Sequence, residues 1–544
     1  MANIVDEIIY DNDDPYRTAY HFQPPQNWMN GPMIYKGIYH LFYQHIPDEA
    51  DWRLGGLVWG HSTSTDLINW TSQPIALSPT ESYEVIGCWS GSTTILPGEK
   101  PAILYTGSDI EHNQLQILAF PKDLSDPYLK EWVKVPQNPV MVATPTNNMI
   151  DPKDFRDPST AWQLSDGKWR VLIGTKQGDQ GSVALFTSED FITWTDSGHP
   201  FRSAEGTGVW ECPDFFPVYV GQSLGVDYNV ISGEDVKHVL KLSLFDYRCE
   251  LYTIGRYDTD KDIYIPDEGS VESPQGLLCD YGKYYASKSF FDSTTNRRIL
   301  FGWVSEDSTL EDNKKKGWAG IQGIPRTILV DEFGKQLVQW PVTEVATLRR
   351  NQVEMTSQVI GGGSRIEITG VTASQADVEI SFKIPELEHV QELDPTWTDP
   401  QILSSNKETS EKVLGPFGLL TLASTGLEEY TAVFFRNFKG PNKYEVLMCC
   451  DQSRSSLNPT TDKPSYKTFV DVDPVNDELS LRILIDRSIV ESFGAKGKSC
   501  ITARVYPTLA INDQAKLYAF NYGTEDIEIT KLCAWSMARA QVNL

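Results

Sequence analysis

The chain has 544 residues, 40% of them hydrophobic and 22% charged, with a formal net charge of −27. That length exceeds one ordinary domain, so two are expected, and 15 Trp, 24 Tyr and 22 Phe can fill large cores and line an aromatic groove. The acidic balance argues against nucleic acid, whose phosphates need a basic face. It suits a neutral ligand such as a sugar, and serves solubility equally well.

At the start, MANIVDEIIYDNDD has no basic stretch leading into an apolar one, so no signal peptide is visible. No run approaches about 18 apolar residues, so no membrane span is expected. Short apolar runs then recur at a long period: YHLFYQ (39–44), AILYTG (102–107), WRVLIGT (169–175), HVLKLS (238–243) and RILFGW (298–303). Their starts lie 63, 67, 69 and 60 residues apart. Each is too short for a helix, rich in β-branched and aromatic residues, and bounded by turn residues, so each reads as a strand. A second echo repeats alongside: Ser64-Thr65-Asp66-Leu67-Ile68-Asn69-Trp70 returns as Ser188-Glu189-Asp190-Phe191-Ile192-Thr193-Trp194. Sheet units of similar length fit radial repetition, which also shields strand edges. A large irregular β-sandwich fits the same period.

The pattern stops near residue 340. Residues 341–354, with TEVATLRRNQ at helical spacing, read as an inter-domain connector. From 355 to 544 the sequence alternates, as in DVEISFKI (377–384), YTAVFFRN (430–437), LSLRILIDRSIVESF (479–493) and AKLYAFN (515–521), and reads as an all-β sandwich. The acidic, Pro-containing PELEHVQELDPTWTDPQ (385–401) reads as an exposed loop. Eight cysteines do not make a disulfide-dense scaffold, and neither they nor the eight His show zinc-type spacing. Asn69-Trp70-Thr71 is the one Asn-x-Ser/Thr sequon without Pro, a weak pointer to export.

Three stretches carry the chemistry: HFQPPQNWMNGPMIYKGIYHLFYQ (21–44), FRDPST (155–160) and WECPDFF (210–216). Retaining hydrolysis of a glycosidic bond needs two carboxyl groups about 5–5.5 Å apart, one nucleophilic and one protonated. The protonated one needs a pKa raised by burial or by a neighbouring negative charge. Alone, Arg-Asp-Pro is mostly a turn and Glu-Cys-Pro mostly a strand end. Together, in this order and with CWSGS (88–92), they resemble the signature of glycoside hydrolase family 32, which holds plant cell-wall and vacuolar invertases and fructan exohydrolases. IVESFGAKGKSCITARVYP (489–507) resembles that family's C-terminal module, so the likeness covers nearly the whole chain.

The resemblance implies an all-β fold, a five-bladed β-propeller over 15–340 followed by a C-terminal β-sandwich. It implies Glu211 as general acid/base, and Asp157 as the group that holds fructosyl hydroxyls and stabilises the transition state, with Arg156 fixing its geometry. It places Asn30, Gln44, Trp59, Trp89, Ser90 and Trp318 around a fructose pocket, where rings stack on the sugar and amides and hydroxyls fix its OH pattern. Core packing is the plain alternative for each Trp, and His61 reads as a structural hydrogen-bonder. Plant relatives often bridge the first cysteine of a pair like Cys449-Cys450 to one upstream; here ILSSNKETSEK (402–412) holds no Cys, so that disulfide is not expected.

One element is missing. In the family the first stretch reads W-M-N-D-P-N-G-P, and its Asp is the nucleophile; here Trp28-Met29-Asn30 passes straight to Gly31-Pro32. Aligned from the left the nucleophile falls on Gly31, and from the right on Trp28. Neither attacks an anomeric carbon, and losing such a group costs on the order of 10^4-fold or more in rate. Three explanations stand: loss of the mini-exon that encodes this triplet in plant genes of the family, a degenerate relative that still binds fructosyl sugars, or a changed mechanism. Sucrose-cleaving relatives carry an Asp-Asp-x-Lys pattern ahead of their Tyr-Thr-Ile-Gly run, and here Phe245 and Arg248 stand at its first and last positions. An apolar ring cannot accept a hydrogen bond from glucose, so the pair resembles fructan exohydrolases unless the neighbouring Asp246 substitutes.

The expected protein is a glycoside hydrolase of the β-fructofuranosidase or fructan exohydrolase type, releasing terminal fructose from fructans and impaired by the missing Asp. The alternative is a catalytically inactive fructosyl-sugar-binding or regulatory relative. The expectation carries no metal or organic cofactor, and fructans or other fructosyl oligosaccharides as partners. It carries no nucleic acid, no membrane, a monomeric state, and secretion to the cell wall and apoplast or to the vacuole.

Overall fold

The computed structural model describes residues 14–23, 31–47, 56–143, 150–384, 387, 390–393 and 414–543. Each of the five recurring apolar runs forms the second strand of a separate antiparallel sheet: Ile38–His45, Lys100–Ser108, Trp169–Gln177, Val236–Leu244 and Arg297–Val304. The strands that precede them are Pro32–Tyr35, Gly87–Leu96, Phe155–Arg156, Trp210–Tyr219 and Tyr284–Asp292. Side chains alternate across each strand, so both faces of every sheet are apolar and each must pack on a neighbour.

Packing between successive sheets closes on itself. Phe42, Trp59, Tyr105 and Ile117 join the first sheet to the second, and Leu104, Phe155 and Ile173 join the second to the third. Trp162, Phe215 and Leu240 continue to the fourth, and Phe216, Tyr252, Tyr284 and Ile328 to the fifth. Leu41, Trp70, Phe301 and Ile299 then return from the fifth sheet to the first. Among the described residues the five sheets thus pack in a closed ring.

Two six-stranded sheets follow, pressed together by Val378, Ile483, Leu419, Val433 and Met448. The helix-capable connector is a 3-10 helix, Thr343–Leu348, and strand Arg349–Ile360 already belongs to the sixth sheet. The stretch expected as connector to 354 therefore ends six residues early, because Arg349 pairs with Met537 and starts a ladder. The chain's last strand, Val542–Asn543, leaves the paired sheets and runs parallel to Trp70–Thr71 at the edge of the first ring sheet. Most of the acidic loop 385–401 lies outside the described residues. Cys449 and Cys450 are buried and unbridged, as expected. Among the described residues no helix is long and apolar enough to cross a membrane.

A buried polar cluster ties the chain's start to both parts. His21 Nδ1 meets Asp486 and Nε2 meets Glu491, each at 2.9 Å, with all three side chains fully buried. Asp486 also accepts the backbone N–H groups of Ala19, Tyr20 and His21. Arg326, in the fifth ring sheet, donates to Glu491, Asp280 and Thr502. Burial alone would lower the His21 pKa, but hydrogen bonds to Asp486 and Glu491 outweigh it and raise it from 6.5 to about 9. The imidazolium is what makes two buried carboxylates tolerable.

His21→Ala should therefore lower the unfolding free energy by about 3–5 kcal/mol, the cost of stranding buried charge. A folded pKa above the unfolded one means the stabilisation is complete below pH 6.5 and is lost as pH rises through about 9. The gap in urea midpoint between wild type and variant should narrow across that window, and a constant gap would contradict the charged imidazole.

Candidate active site

The first strands of the second to fifth ring sheets share a device at their starts. Cys88, Arg156, Glu211 and Tyr285 are each the second residue of such a strand. Register shifts follow immediately at Cys88/Gly91, Glu211/Asp214 and Tyr285/Lys288. The next residue has a positive φ in three cases: Asp157 at 64°, Cys212 at 47° and Ala286 at 53°. Bulges re-aim side chains, and left-handed non-glycine residues mark strain held for a purpose. In the third, fourth and fifth sheets the side chains so placed, Arg156, Glu211 and Tyr285, meet at one mouth of the ring.

At that mouth two consecutive residues of one sheet are locked to two of the next. Arg156 Nε donates to Glu211 Oε1 at 2.9 Å, and Cys212 N–H donates to Asp157 Oδ2 at 3.0 Å. Tyr285 Oη–H donates to Glu211 Oε2 at 2.7 Å from the fifth sheet. The Glu211 side chain is 15% exposed and that of Arg156 7%, so the pair is poorly screened. Burial raises the Glu211 pKa, Arg156 pulls it back, and the charge on Asp157 raises it again. The net direction is upward, as a proton donor requires. Burial and the adjacent Glu211 likewise push the Tyr285 phenol up, so it stays a donor.

Buried polar groups of the second sheet brace this pair. Thr106 Oγ1 accepts the Asp157 N–H at 2.8 Å, and Gln114 Oε1 accepts from both Phe155 N–H and Arg156 Nη1. Gly174 faces Arg156 across the ladder, and a Cβ there would lie 2.3 Å from the Trp210 carbonyl oxygen, so only glycine lets the two sheets approach. Glu84, wholly buried, binds Lys134, accepts from Tyr105 Oη at 2.6 Å and lies 3.4 Å from Cys88 Sγ, anchoring the start of strand Gly87–Leu96.

The expected site residues separate into groups. Arg156, Asp157 and Glu211 come together with Phe245, whose ring lies 5.5 Å from the Arg156 guanidinium and 4.3 Å from that of Arg248. Arg248 also lies 6.0 Å from the Tyr285 ring. Gln44 Nε2 donates to Ser90 Oγ at 3.1 Å, and Trp59 Nε1 donates to the Trp89 carbonyl at 2.9 Å. Trp59 is completely buried between Phe42 and Tyr105, so it offers no face to a sugar and acts through Trp89. Trp318 is 2% exposed, its indole donating to Asp14 at 2.7 Å with Lys316 and Arg504 over its ring. For both Trp the stacking expectation gives way to packing, because indole burial is decided by distant partners. Asn30 lies outside the described residues. His61 is a structural group, 2.9 Å from His40 and stacked on Phe42.

Sequence reasoning missed Tyr285, Glu84, Thr106 and Gln114. For Tyr285, Thr106 and Gln114 the one signal is a polar group at or in a strongly apolar strand run, as in YYASKSF and ILYTG; Glu84, in a 3-10 helix, carries none.

Comparison with known proteins agrees with this arrangement. Residues 21–341 match the glycosyl hydrolases family 32 N-terminal domain, and residues 344–536 match the family 32 C-terminal domain. A fructan 6-exohydrolase of Beta vulgaris is 70% identical over 99% of this chain and 90% of its own length. A cell wall isozyme of β-fructofuranosidase from Pisum sativum is 56% identical over 93% of this chain and 92% of its own. Fructan 1-exohydrolase IIa of Cichorium intybus, solved as a variant in complex with 1-kestose, is 47% identical, covers 97% of this chain and 99% of its own, and superposes with a TM-score of 0.93. A ring whose mouth gathers an arginine-bound acid beside a second carboxylate, matched end to end in this way, belongs to glycosyl hydrolase family 32.

Proposed function

We propose that this chain is a β-fructofuranosidase of the fructan exohydrolase type, built as a five-bladed propeller and a β-sandwich and exported to the plant cell wall. The observation that carries the reading is Glu211: a buried carboxyl of raised pKa, gripped by Arg156 and Tyr285 beside Asp157. Protonated Glu211 delivers its proton to the leaving oxygen, and Asp157 faces the developing charge and hydroxyls of the fructosyl ring. Gln44 and Ser90 supply amide and hydroxyl groups for the same ring, and the indole of Trp89 adds an apolar wall. The attacking carboxylate belongs on the first sheet. The last residue before that sheet's first strand is Gly31, with φ of 107° and no side chain. That supports reading the missing Asp-Pro-Asn triplet as the loss of the nucleophile, with turnover impaired by orders of magnitude.

Phe245 and Arg248 support fructan over sucrose. The ring sits between two guanidinium groups where a glucose-binding carboxylate would stand, and gives glucose hydroxyls no acceptor. The similarity to a fructan 6-exohydrolase points the same way. A binding-only fructosyl sensor is the second reading, favoured by Gly31 alone.

This chain should release little fructose from levan, inulin or sucrose at mildly acidic pH, and insertion of Asp-Pro-Asn between Asn30 and Gly31 should restore release. In the restored form Glu211→Gln should cost about 10^2–10^4-fold in kcat, and Phe245→Asp should raise sucrose cleavage relative to levan. Fructose release by the unaltered chain would place the attack on another acid, and an inert restored form would favour the sensor. Tyr285→Phe removes a hydrogen bond that holds the Glu211 pKa down, so the alkaline limb of the restored form's pH–rate profile should move to higher pH. A downward move would contradict the role given to Tyr285.

A further inference from the structure

The loop Ser64–Trp70, with Thr71 after it, holds the chain's sequon and does something its echo does not. In both loops an aspartate folds the turn: Asp66 Oδ1 accepts the N–H groups of Ile68 and Asn69, and Asp190 Oδ1 those of Ile192 and Thr193. Leu67 and Phe191 both have φ of 65°. The contact made by the sixth residue is equivalent too, with Asn69 Nδ2 donating to Asp66 Oδ2 at 2.6 Å and Thr193 Oγ1 to Asp190 Oδ2 at 3.1 Å. A hydroxyl therefore suffices to make the turn, and Asn69 is not required for it.

Two features are special to Asn69. Its Oδ1 accepts the Gln541 N–H at 2.8 Å, where the chain's end docks on the first sheet. It also lines a cavity of about 350 Å³ bordered by Ile38, Thr65, Gln73, Tyr128, Lys130 and Gln541. That volume falls at the small end of the roughly 300–1,000 Å³ range of small-ligand sites. The lining combines a half-exposed aromatic ring, an ammonium, an amide and hydroxyls, which is the chemistry that holds a sugar ring.

We propose that Asn69 carries an N-linked glycan whose first N-acetylglucosamine lies in this cavity; the proposal rests on the reading that the chain is exported. In the transfer, Asn69 Nδ2 bonds to C1 of a lipid-diphosphate-linked oligosaccharide, the C1–oxygen bond breaks with its electron pair leaving on the diphosphate, and Nδ2 gives up one proton. One N–H and the carbonyl remain. Those are the two groups the fold uses, toward Asp66 and Gln541. Gln541 lies 472 residues downstream, so the sequon enters the lumen before the C-terminal strand exists to cover it. The docked tail then flanks the first sugar through Gln541.

The test is secretion of the full chain from yeast behind a supplied leader, followed by peptide mapping and timed glycosidase release. Asn69 should be modified in wild type and bare in Thr71→Ala. Release from the native protein should be about tenfold or more slower than after denaturation, because the enzyme must await local opening. Tyr128→Ala removes a wall, and should speed native release without changing occupancy. A bare Asn69 in secreted wild type overturns the modification, and equal native and denatured release rates overturn the enclosed sugar. Neither readout involves fructose release, so failure here is separable from failure of the fructan reading.

Discussion

The imidazolium of His21 is the joint on which the rest of the molecule turns. It neutralises Asp486 and Glu491, which belong to the sixth sheet, while Glu491 shares Arg326 with the fifth ring sheet. Phe22, the next residue, gives its carbonyl to Gln322 in the fifth sheet just before the chain moves into the first. The segment that closes the ring is thus held by the sandwich, and the ring and sandwich share a core at Leu484 and Phe493. A charge-assisted cluster of this kind is geometrically specific in a way apolar packing is not.

At the mouth the problem is inverted. His21 stays charged against burial, whereas Glu211 has a raised pKa beside a guanidinium that favours loss of its proton. Burial and Asp157 act in one direction, and Arg156 and Tyr285 in the other. Such opposed terms leave the group poised rather than locked, which suits a residue that gives up a proton and takes it back. A second carboxylate restored on the first sheet would push Glu211 further toward the protonated form, by the same like-charge effect that Asp157 exerts. The triplet would then supply an attacking group and also tune the acid.

What the sequence made legible was periodic or local. The five apolar runs sit as second strands because a ring repeats one hydrophobic pattern, and the Ser64 and Ser188 loops match because a turn is written in a few adjacent residues. Arg156, Asp157 and Glu211 were found through short motifs, and their contacts form across only 55 residues. The His21 cluster spans 465 residues and more, and no pattern announces it. Trp59 and Trp318 show the same limit from the other side, since an indole that stacks on sugar and one that fills a core are the same residue type. Tyr285 escaped because its part depends on a bulge, and a bulge shows only when two strands are in register.

The arrangement of the mouth bears on whether this scaffold is for turnover or for binding alone. A sugar-binding site needs hydroxyl-matching groups and an aromatic wall, the parts proposed above for Gln44, Ser90 and Trp89. It does not need an acid with a raised pKa, nor backbone held left-handed at Asp157, Cys212 and Ala286. Those features cost stability, of order 1–3 kcal/mol for each strained residue, and under the proposed function they serve proton transfer to a leaving oxygen. The braces at Thr106, Gln114 and Gly174 exist to hold that strained geometry in place. A site so expensively prepared for the acid half of a two-carboxylate reaction favours an enzyme short of one residue over a protein that never needed it.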